Sequence, residues 1–248
     1  MLFNCSPDIR EQISANSCLQ PQSCIRGSPL SDVVLTSGDV DHIGGLISLR
    51  EGHQFSIHAT PGINRILASN PIFGVLNPAA VKREIAEPGE RQRLSAGIEI
   101  ELFTVPGKIP LYLETEGVVT NGRCDTTVGI EVATNKHALF YVPACAEIDR
   151  ETAARLENAR LVFFDGTLWS DDEMIRTGTG MKTGRRMGHM PVGGPDGSLV
   201  ALKAIGVKRL IYIHINNTNP MLIEGSPENE AVRAAGAEVG FDGQEIDL

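Results

Sequence analysis

Nowhere in the 248-residue chain does an apolar run approach the roughly 18 residues that cross a bilayer, so no membrane span is expected. The N-terminus, MLFNCSPDIREQI, lacks the basic start and the long apolar stretch of a secretory signal, which points to a cytoplasmic protein. Cations are also scarce: 22 Lys plus Arg stand against 31 Asp plus Glu, a net charge of −9. Phosphate backbones and anionic membranes are held by clustered cations, so no nucleic-acid partner is expected. Cysteine is sparse and odd in number (Cys5, Cys18, Cys24, Cys124 and Cys145), with no C-x-x-C. That argues against a disulfide framework and for small buried apolar side chains. Internal repeats, low-complexity tracts and long charge runs are absent too. No boundary is visible, and a single domain over 1–248 is expected.

What is present is an ordinary globular composition, 42% hydrophobic and 21% charged. Strands are expected at Ser31–Thr36, Phe55–Ala59, Glu99–Val105, Thr127–Ala133, Ala138–Val142, Leu161–Phe164 and Arg209–Ile213. Helices are expected at Ile43–Arg50, Pro61–Ser69, Asp149–Asn158, Ser198–Ile205 and Pro227–Ala235. Strands early and late with helices between them fit an α/β sandwich. The stretch from Asp171 to Gly197, Gly-rich and basic in its middle, is expected to be a long loop, and loops of that length tend to be functional.

Two segments carry chemistry. In Thr36-Ser37-Gly38-Asp39-Val40-Asp41-His42-Ile43-Gly44-Gly45-Leu46 a strand ends, a tight loop follows and a helix begins. Asp39, Asp41 and His42 gather at that turn, where metal ligands and catalytic groups often sit. The same D-x-D-H suits helix capping equally well, because Asp favours a first turn. The second segment is the exit of Arg209–Ile213, where His214 precedes Ile215-Asn216-Asn217-Thr218-Asn219-Pro220. A histidine there fits a ligand or a satisfied core side chain. The short polar side chains after it, Asn216 and Asn217 among them, would bond nearby backbone and fix the ring's direction.

Together these segments resemble the metallo-β-lactamase superfamily, in particular its ribonuclease Z-like branch. The superfamily carries H-x-H-x-D-H after a strand. Here Ser37 and Asp39 stand at the two leading positions, and Asp41 and His42 match the last two. Val105-Pro106-Gly107-Lys108 resembles the V-P-G-H step with Lys108 replacing the histidine. Phe140–Cys145 resembles the strand that ends in a bridging Asp, with Cys145 in its place. Gly188-His189-Met190 resembles the branch's G-H loop, and Val207–His214 its final ligand-bearing strand. Within the superfamily the chain is similar to the B family of pyrroloquinoline quinone (PQQ) synthesis proteins (PqqB). The similarity runs through N-x-S-P-D-I-R-x-Q-I at Asn4–Ile13, D-V-D-H-x-x-G-L at Asp39–Leu46 and Leu49-Arg50-Glu51. It continues through Phe164–Leu168 with Trp169, Arg186–Pro191 and the specific HINNTNP at His214–Pro220.

The resemblance implies a metallo-β-lactamase-like αββα sandwich that lacks its N-terminal strands and a cysteine-rich structural zinc site, since the chain begins at what would be an internal strand. It also implies a single metal. Three superfamily histidines are gone and the Lys108 cation would repel a second ion, leaving Asp41, His42 and His214 as ligands. Two imidazoles and one carboxylate with open positions suit Fe(II) and dioxygen, with Zn as the competing ion. The implied reaction is Fe(II)/O2-dependent hydroxylation of the tyrosine ring of a peptide-derived Glu–Tyr precursor in PQQ biosynthesis. Asp39 and His189 would transfer protons, and Asp165 would orient a ligand histidine or simply turn the chain. Lys108, together with Lys182, Arg185 and Arg186, would pair with substrate carboxylates, although the loop trio also suits a solvated face. Cys145 would face the vacated metal position or pack. One alternative keeps the fold without catalysis, as a carrier in the transport of PQQ or its precursor. Another is a mononuclear Zn hydrolase. Expected partners are the precursor or PQQ and dioxygen, with a homodimer as a possible assembly.

Overall fold

Phe103 and Val105, Phe140 and Val142, Val162 and Phe164, and Leu210 and Tyr212 stand two residues apart, as side chains must when they share one face of a strand. The structure, a computed structural model, describes residues 1–21, 27–95, 97–133 and 138–247, and it buries all of these side chains in one core. The chain divides into two compact units. One comprises Met1–Leu102 with Ile109–Thr115, the other Phe103–Lys108 with Glu116–Leu248.

The first unit is built on four parallel strands in chain order: β1 (Leu2–Phe3), β2 (Asp32–Val34), β3 (Phe55–Ala59) and β4 (Val81–Ile85). β2 is buried throughout, Asp32 included, which fits the apolar Val33-Val34-Leu35 that follows. The helix Pro61–Ser69 links β3 to β4. Pro61 sits at its start, where no N–H is needed, and the Thr60 hydroxyl accepts Ile63 N–H. The expected helix over Ile43–Arg50 is instead one α-turn, Val40–Ile43, followed by a 3-10 helix, Gly44–Leu49. The cause is close packing: a Cβ on Gly45 would lie 2.0 Å from the Ser6 carbonyl oxygen. β5 (Arg91–Arg93) then pairs antiparallel with the start of β6 (Glu99–Gly107).

The second unit continues from the end of β6 through β7 (Gly122–Ala133), β8 (Ala138–Val142), β9 (Leu161–Asp165), β10 (Arg209–Ile213) and β11 (Glu238–Val239), neighbours in that order. β7 and β8 are antiparallel, and β8 through β11 are parallel. Helices Arg150–Leu156, Ser198–Ala204 and Pro227–Ala234 supply Leu156, Leu199, Leu202 and Val232 to the core described above. Each such side chain contributes about 1.5–3 kcal/mol on burial. The expected long loop from Asp171 to Gly197 is more ordered than its composition suggests, since it holds two helical turns, Glu173–Arg176 and Gly184–Met187. Among the cysteines, Cys5 and Cys145 are buried as expected, but Cys18 is exposed and Cys124 half-buried. Cys24 lies outside the described residues. No helix among the described residues is long and apolar enough to cross a membrane.

Candidate functional site

In the first unit the segment after β2 is pinned by the N-terminal N-x-S-P-D stretch. Asn4, at φ 57°, accepts the Thr36 N–H and donates Nδ2 to the Thr36 hydroxyl, both at 2.9 Å. Cys5 N–H donates to the His42 carbonyl at 2.6 Å, and the Cys5 carbonyl accepts Gly45 N–H at 2.9 Å. His42 is thereby buried, with Nδ1 2.7 Å from Ser37 Oγ and 3.4 Å from Thr36 Oγ1. Ser37 Oγ also lies 3.1 Å from Asp39 Oδ2 and accepts the Asp39 N–H at 3.1 Å. A hydroxyl has one proton. Given to the carboxylate, it leaves Oγ to accept Nδ1–H of His42, and Nε2 then carries a lone pair in place of a hydrogen. Asp41, its side chain 55% exposed, places Oδ2 3.9 Å from that Nε2. Asp39 starts the Val40–Ile43 turn, but its side chain makes no capping bond, so the capping explanation does not account for its carboxylate. Tyr112 donates to the Gly38 carbonyl at 2.7 Å. Burial, and then the Asp39 charge, push its phenol pKa up.

In the second unit β9 and β10 run parallel with Ile213 opposite Asp165, so their exits lie side by side, where sites in parallel sheets usually form. Asp165 is entirely buried and accepts four hydrogen bonds. Oδ2 takes Cys145 N–H at 2.9 Å and His189 Nδ1–H at 2.7 Å, while Oδ1 takes Thr167 N–H at 3.0 Å and its hydroxyl at 2.6 Å. Burial by itself raises this carboxyl's pKa, but His189, His214 and the Thr167 hydroxyl outweigh it and hold the group below the usual range. Ligand atoms of Asp165, His189 and His214 lie within 4.8 Å of one another, close enough to enclose an ion. Four donors already converge on the two Asp165 oxygens, however, which fills their acceptor positions.

His214 itself has φ 54°, a left-handed conformation that costs a non-glycine residue about 1–2 kcal/mol. Thr167 holds it: Oγ1 lies 2.8 Å from His214 Nδ1 and 3.1 Å from its carbonyl oxygen. The ring stacks on His189 with centroids 5.3 Å apart and planes 19° apart. Beyond it, Asn216 N–H donates to the Thr167 carbonyl at 3.1 Å, and Asn217 is exposed. Buried Asn219 donates to the Gly166 carbonyl at 2.8 Å and accepts Met221 N–H at 3.0 Å, fixing the loop as its composition leads one to expect. Thr218 donates to Glu173 Oε1 at 2.7 Å, and Glu173 Oε2 accepts Trp169 N–H at 2.7 Å. His214 also lines an open cavity of about 630 Å³ with Phe163, Ile215, Leu222 and Phe241.

The remaining candidates fall into place around this cluster. The Lys108 carbonyl accepts the Thr127 hydroxyl at 3.0 Å, and its stem lies against Gly188, where a Cβ would come within 2.9 Å of Lys108 Cγ. Gly188, at φ 89°, ends the Gly184–Met187 turn and delivers His189. The Cys145 thiol is packed in the core and donates to the Glu147 carbonyl at 3.1 Å, and burial together with the Asp165 charge pushes its pKa up. Only its backbone N–H reaches Asp165. Lys182 and Arg186 are half-buried, and Arg185 is exposed. Sequence reasoning overlooks the parts played by Thr167, Ser37, Glu173 and Tyr112. A signal existed for the first, since a hydroxyl two residues beyond a strand-end Asp commonly bonds back to it.

A family model described as the beta-lactamase superfamily domain matches residues 1–215. The chain is 50% identical over 247 residues to coenzyme PQQ synthesis protein B of Rhizobium meliloti (strain 1021), covering all of this chain and 81% of that protein. It is 47% identical over 249 residues to coenzyme PQQ synthesis protein B of Xanthomonas campestris pv. campestris (strain B100), covering all of this chain and 83% of that one. Among solved structures, Zn(2+)-bound PqqB from Methylobacterium extorquens superposes with a TM-score of 0.97 at 44% identity, again over all of this chain and 83% of the other. At 13% identity, the metallo-β-lactamase fold protein YhfI from Bacillus subtilis shares the fold, with a TM-score of 0.63 over 98% of this chain and 85% of that one. With the fold and these identities in hand, the chain belongs to the coenzyme PQQ synthesis protein B family of the metallo-β-lactamase superfamily.

Proposed function

We propose that this protein acts in PQQ biosynthesis as a single-metal hydroxylase, using Fe(II) and O2 on the tyrosine ring of a peptide-derived Glu–Tyr precursor. Asp41, His42 and His214 are the proposed ligands. The observation that carries this reading is that both histidines have Nδ1 engaged by a hydroxyl, Ser37 for His42 and Thr167 for His214. A ring held at Nδ1 offers Nε2 to a cation, the arrangement by which metal-binding histidines are oriented. Two imidazoles and a carboxylate suit a divalent ion, Zn as in the Methylobacterium extorquens relative or Fe(II).

When bound, Fe(II) would supply the one-electron chemistry needed to engage O2, and its charge would acidify a coordinated phenol. The protein's own groups do the rest. His189, with Nδ1–H fixed on Asp165, presents Nε2 as the proton acceptor for a substrate hydroxyl. Asp39 is the second proton-transfer candidate, poised by Ser37. Lys108, beside the His189 turn, is suited to a substrate carboxylate, and its ammonium disfavours a second metal.

The test is dioxygen uptake by Fe(II)-loaded protein supplied with a Glu–Tyr substrate, beside a His214→Ala control. Substrate-dependent uptake that vanishes in the variant supports the hydroxylase. Tight binding of substrate or PQQ without uptake would instead make the protein a carrier, as the loss of superfamily ligands at Ser37, Asp39, Lys108 and Cys145 would allow.

A further inference from the structure

We propose that Thr167 is a positioning residue that sets the tautomer of His214, and that through it one buried carboxylate, Asp165, orients both His214 and His189. Four acceptor or donor atoms crowd the Thr167 hydroxyl: Asp165 Oδ1 at 2.6 Å, His214 Nδ1 at 2.8 Å, and His189 Nδ1 and the His214 carbonyl oxygen, each at 3.1 Å. The hydroxyl has one proton to give.

The shortest contact decides its destination. A length of 2.6 Å is that of an O–H donating to an ionised carboxylate, the strongest of the available bonds. His189 Nδ1–H is already committed to Asp165 Oδ2 at 2.7 Å. The Thr167 lone pairs therefore face His214, whose Nδ1 must carry the hydrogen. The opposite tautomer would need Thr167 to turn its proton away from Asp165, leaving a fully buried charge one donor short. Asp165 thus reaches His189 directly through Oδ2 and His214 indirectly through Oδ1 and the hydroxyl. The stacking of the two rings at 5.3 Å follows from this shared anchor. Gly166 allows the geometry: its N–H donates to the Ile213 carbonyl at 2.8 Å, and a Cβ there would meet that same oxygen at 3.1 Å.

The consequence for metal binding rests on the proposal that His214 is a ligand, but the tautomer does not. Histidine ¹⁵N spectra of the metal-free, full-length protein, with His214 assigned by comparison with His214→Ala, read the tautomer directly. Zinc affinity is measured separately by competition with a chromogenic chelator. The expected results are Nδ1–H at His214 in the wild type and in Thr167→Ser, and loss of that preference in the near-isosteric Thr167→Val. Zinc dissociation constants should rise about 10–100-fold in Thr167→Val and return towards wild type in Thr167→Ser, the range seen when an outer-shell partner of a ligand is removed. An Nε2–H tautomer in the wild type overturns the proposal without any variant being needed. So does a folded Thr167→Val that keeps both the tautomer and the affinity. If His214→Ala leaves zinc binding intact, the ligand assignment fails instead, and the spectra still decide the role of Thr167.

Discussion

Each of the two units holds a histidine with a hydroxyl and a carboxylate, yet the two arrangements differ in what surrounds them. In the first, Asp39, Ser37 and His42 lie on one tight loop, the carboxylate is half-exposed, and its hydroxyl contact measures 3.1 Å. In the second, Asp165, Thr167 and His214 come from the exits of two neighbouring strands, the carboxylate is fully buried, and the contact shortens to 2.6 Å. Hydrogen bonds strengthen as the local dielectric falls, and so does the cost of leaving one unmade. The same three chemical groups should therefore behave as a tolerant brace in the first unit and as an unforgiving one in the second.

The largest expected effect tests this directly. Asp165→Asn places an amide where four donors converge, and should lower unfolding stability by about 3–5 kcal/mol, as when one member of a buried charged network is removed. Asp39→Asn, with water at hand, should cost less than about 1 kcal/mol. Urea titrations of the two variants measure both. Equal losses would show that burial is not what separates the two braces.

A smaller effect sharpens the comparison through the backbone. The His189 side of the second cluster depends on Gly188 at φ 89°, with the Lys108 stem filling the space a side chain would take. Gly188→Ala should cost about 1–2 kcal/mol from the left-handed conformation alone, and more from the clash. Adding Lys108→Ala should recover only the clash, so a double-mutant cycle on stability separates the two contributions. Full recovery in the double variant would mean that the glycine serves only to make room for lysine.

The comparison also explains what could be seen in the sequence. Strands that feed the second core were legible because pairs such as Val162 and Phe164 alternate into it. β4 and β5 were not, since VKREI is exposed after Val81 and RQR is polar throughout, so neither carries an apolar signature. The helix expected at Ile43–Arg50 missed because Gly45 answers to the backbone of Cys5 and Ser6, a tertiary contact invisible to periodicity. For the candidate site, Asp41 and His42 stood out because they match the last two positions of the superfamily's H-x-H-x-D-H, and His214 because it ends an apolar strand. Thr167 and Glu173 did not. Threonine and glutamate are common residues, and only folding shows that one hydroxyl meets two histidines and that one acid is buried to clamp Trp169 and Thr218.

If burial rather than location sets the stakes, a buried carboxylate elsewhere in the first unit should behave like Asp165. Asp32 is such a group, accepting from Ser31 at 2.6 Å, His58 at 2.9 Å and Ser95 at 3.0 Å. Burial by itself raises its pKa, but the bonds from Ser31, His58 and Ser95 prevail and hold it below the usual carboxyl range. A folded-state pKa below the unfolded value of about 3.9 means that the carboxylate contributes stability above that pH. The contribution fades as acid carries the pH down through the lower, folded value. Stability curves of the wild type and Asp32→Asn should therefore run parallel from about pH 7 to about pH 5 and converge below about pH 4. Curves that diverge in acid would mean that burial, not hydrogen bonding, governs Asp32. Short bonds around a buried carboxylate would then be no guide to its charge, and the ionised Asp165 that distinguishes the second brace from the first would lose its support.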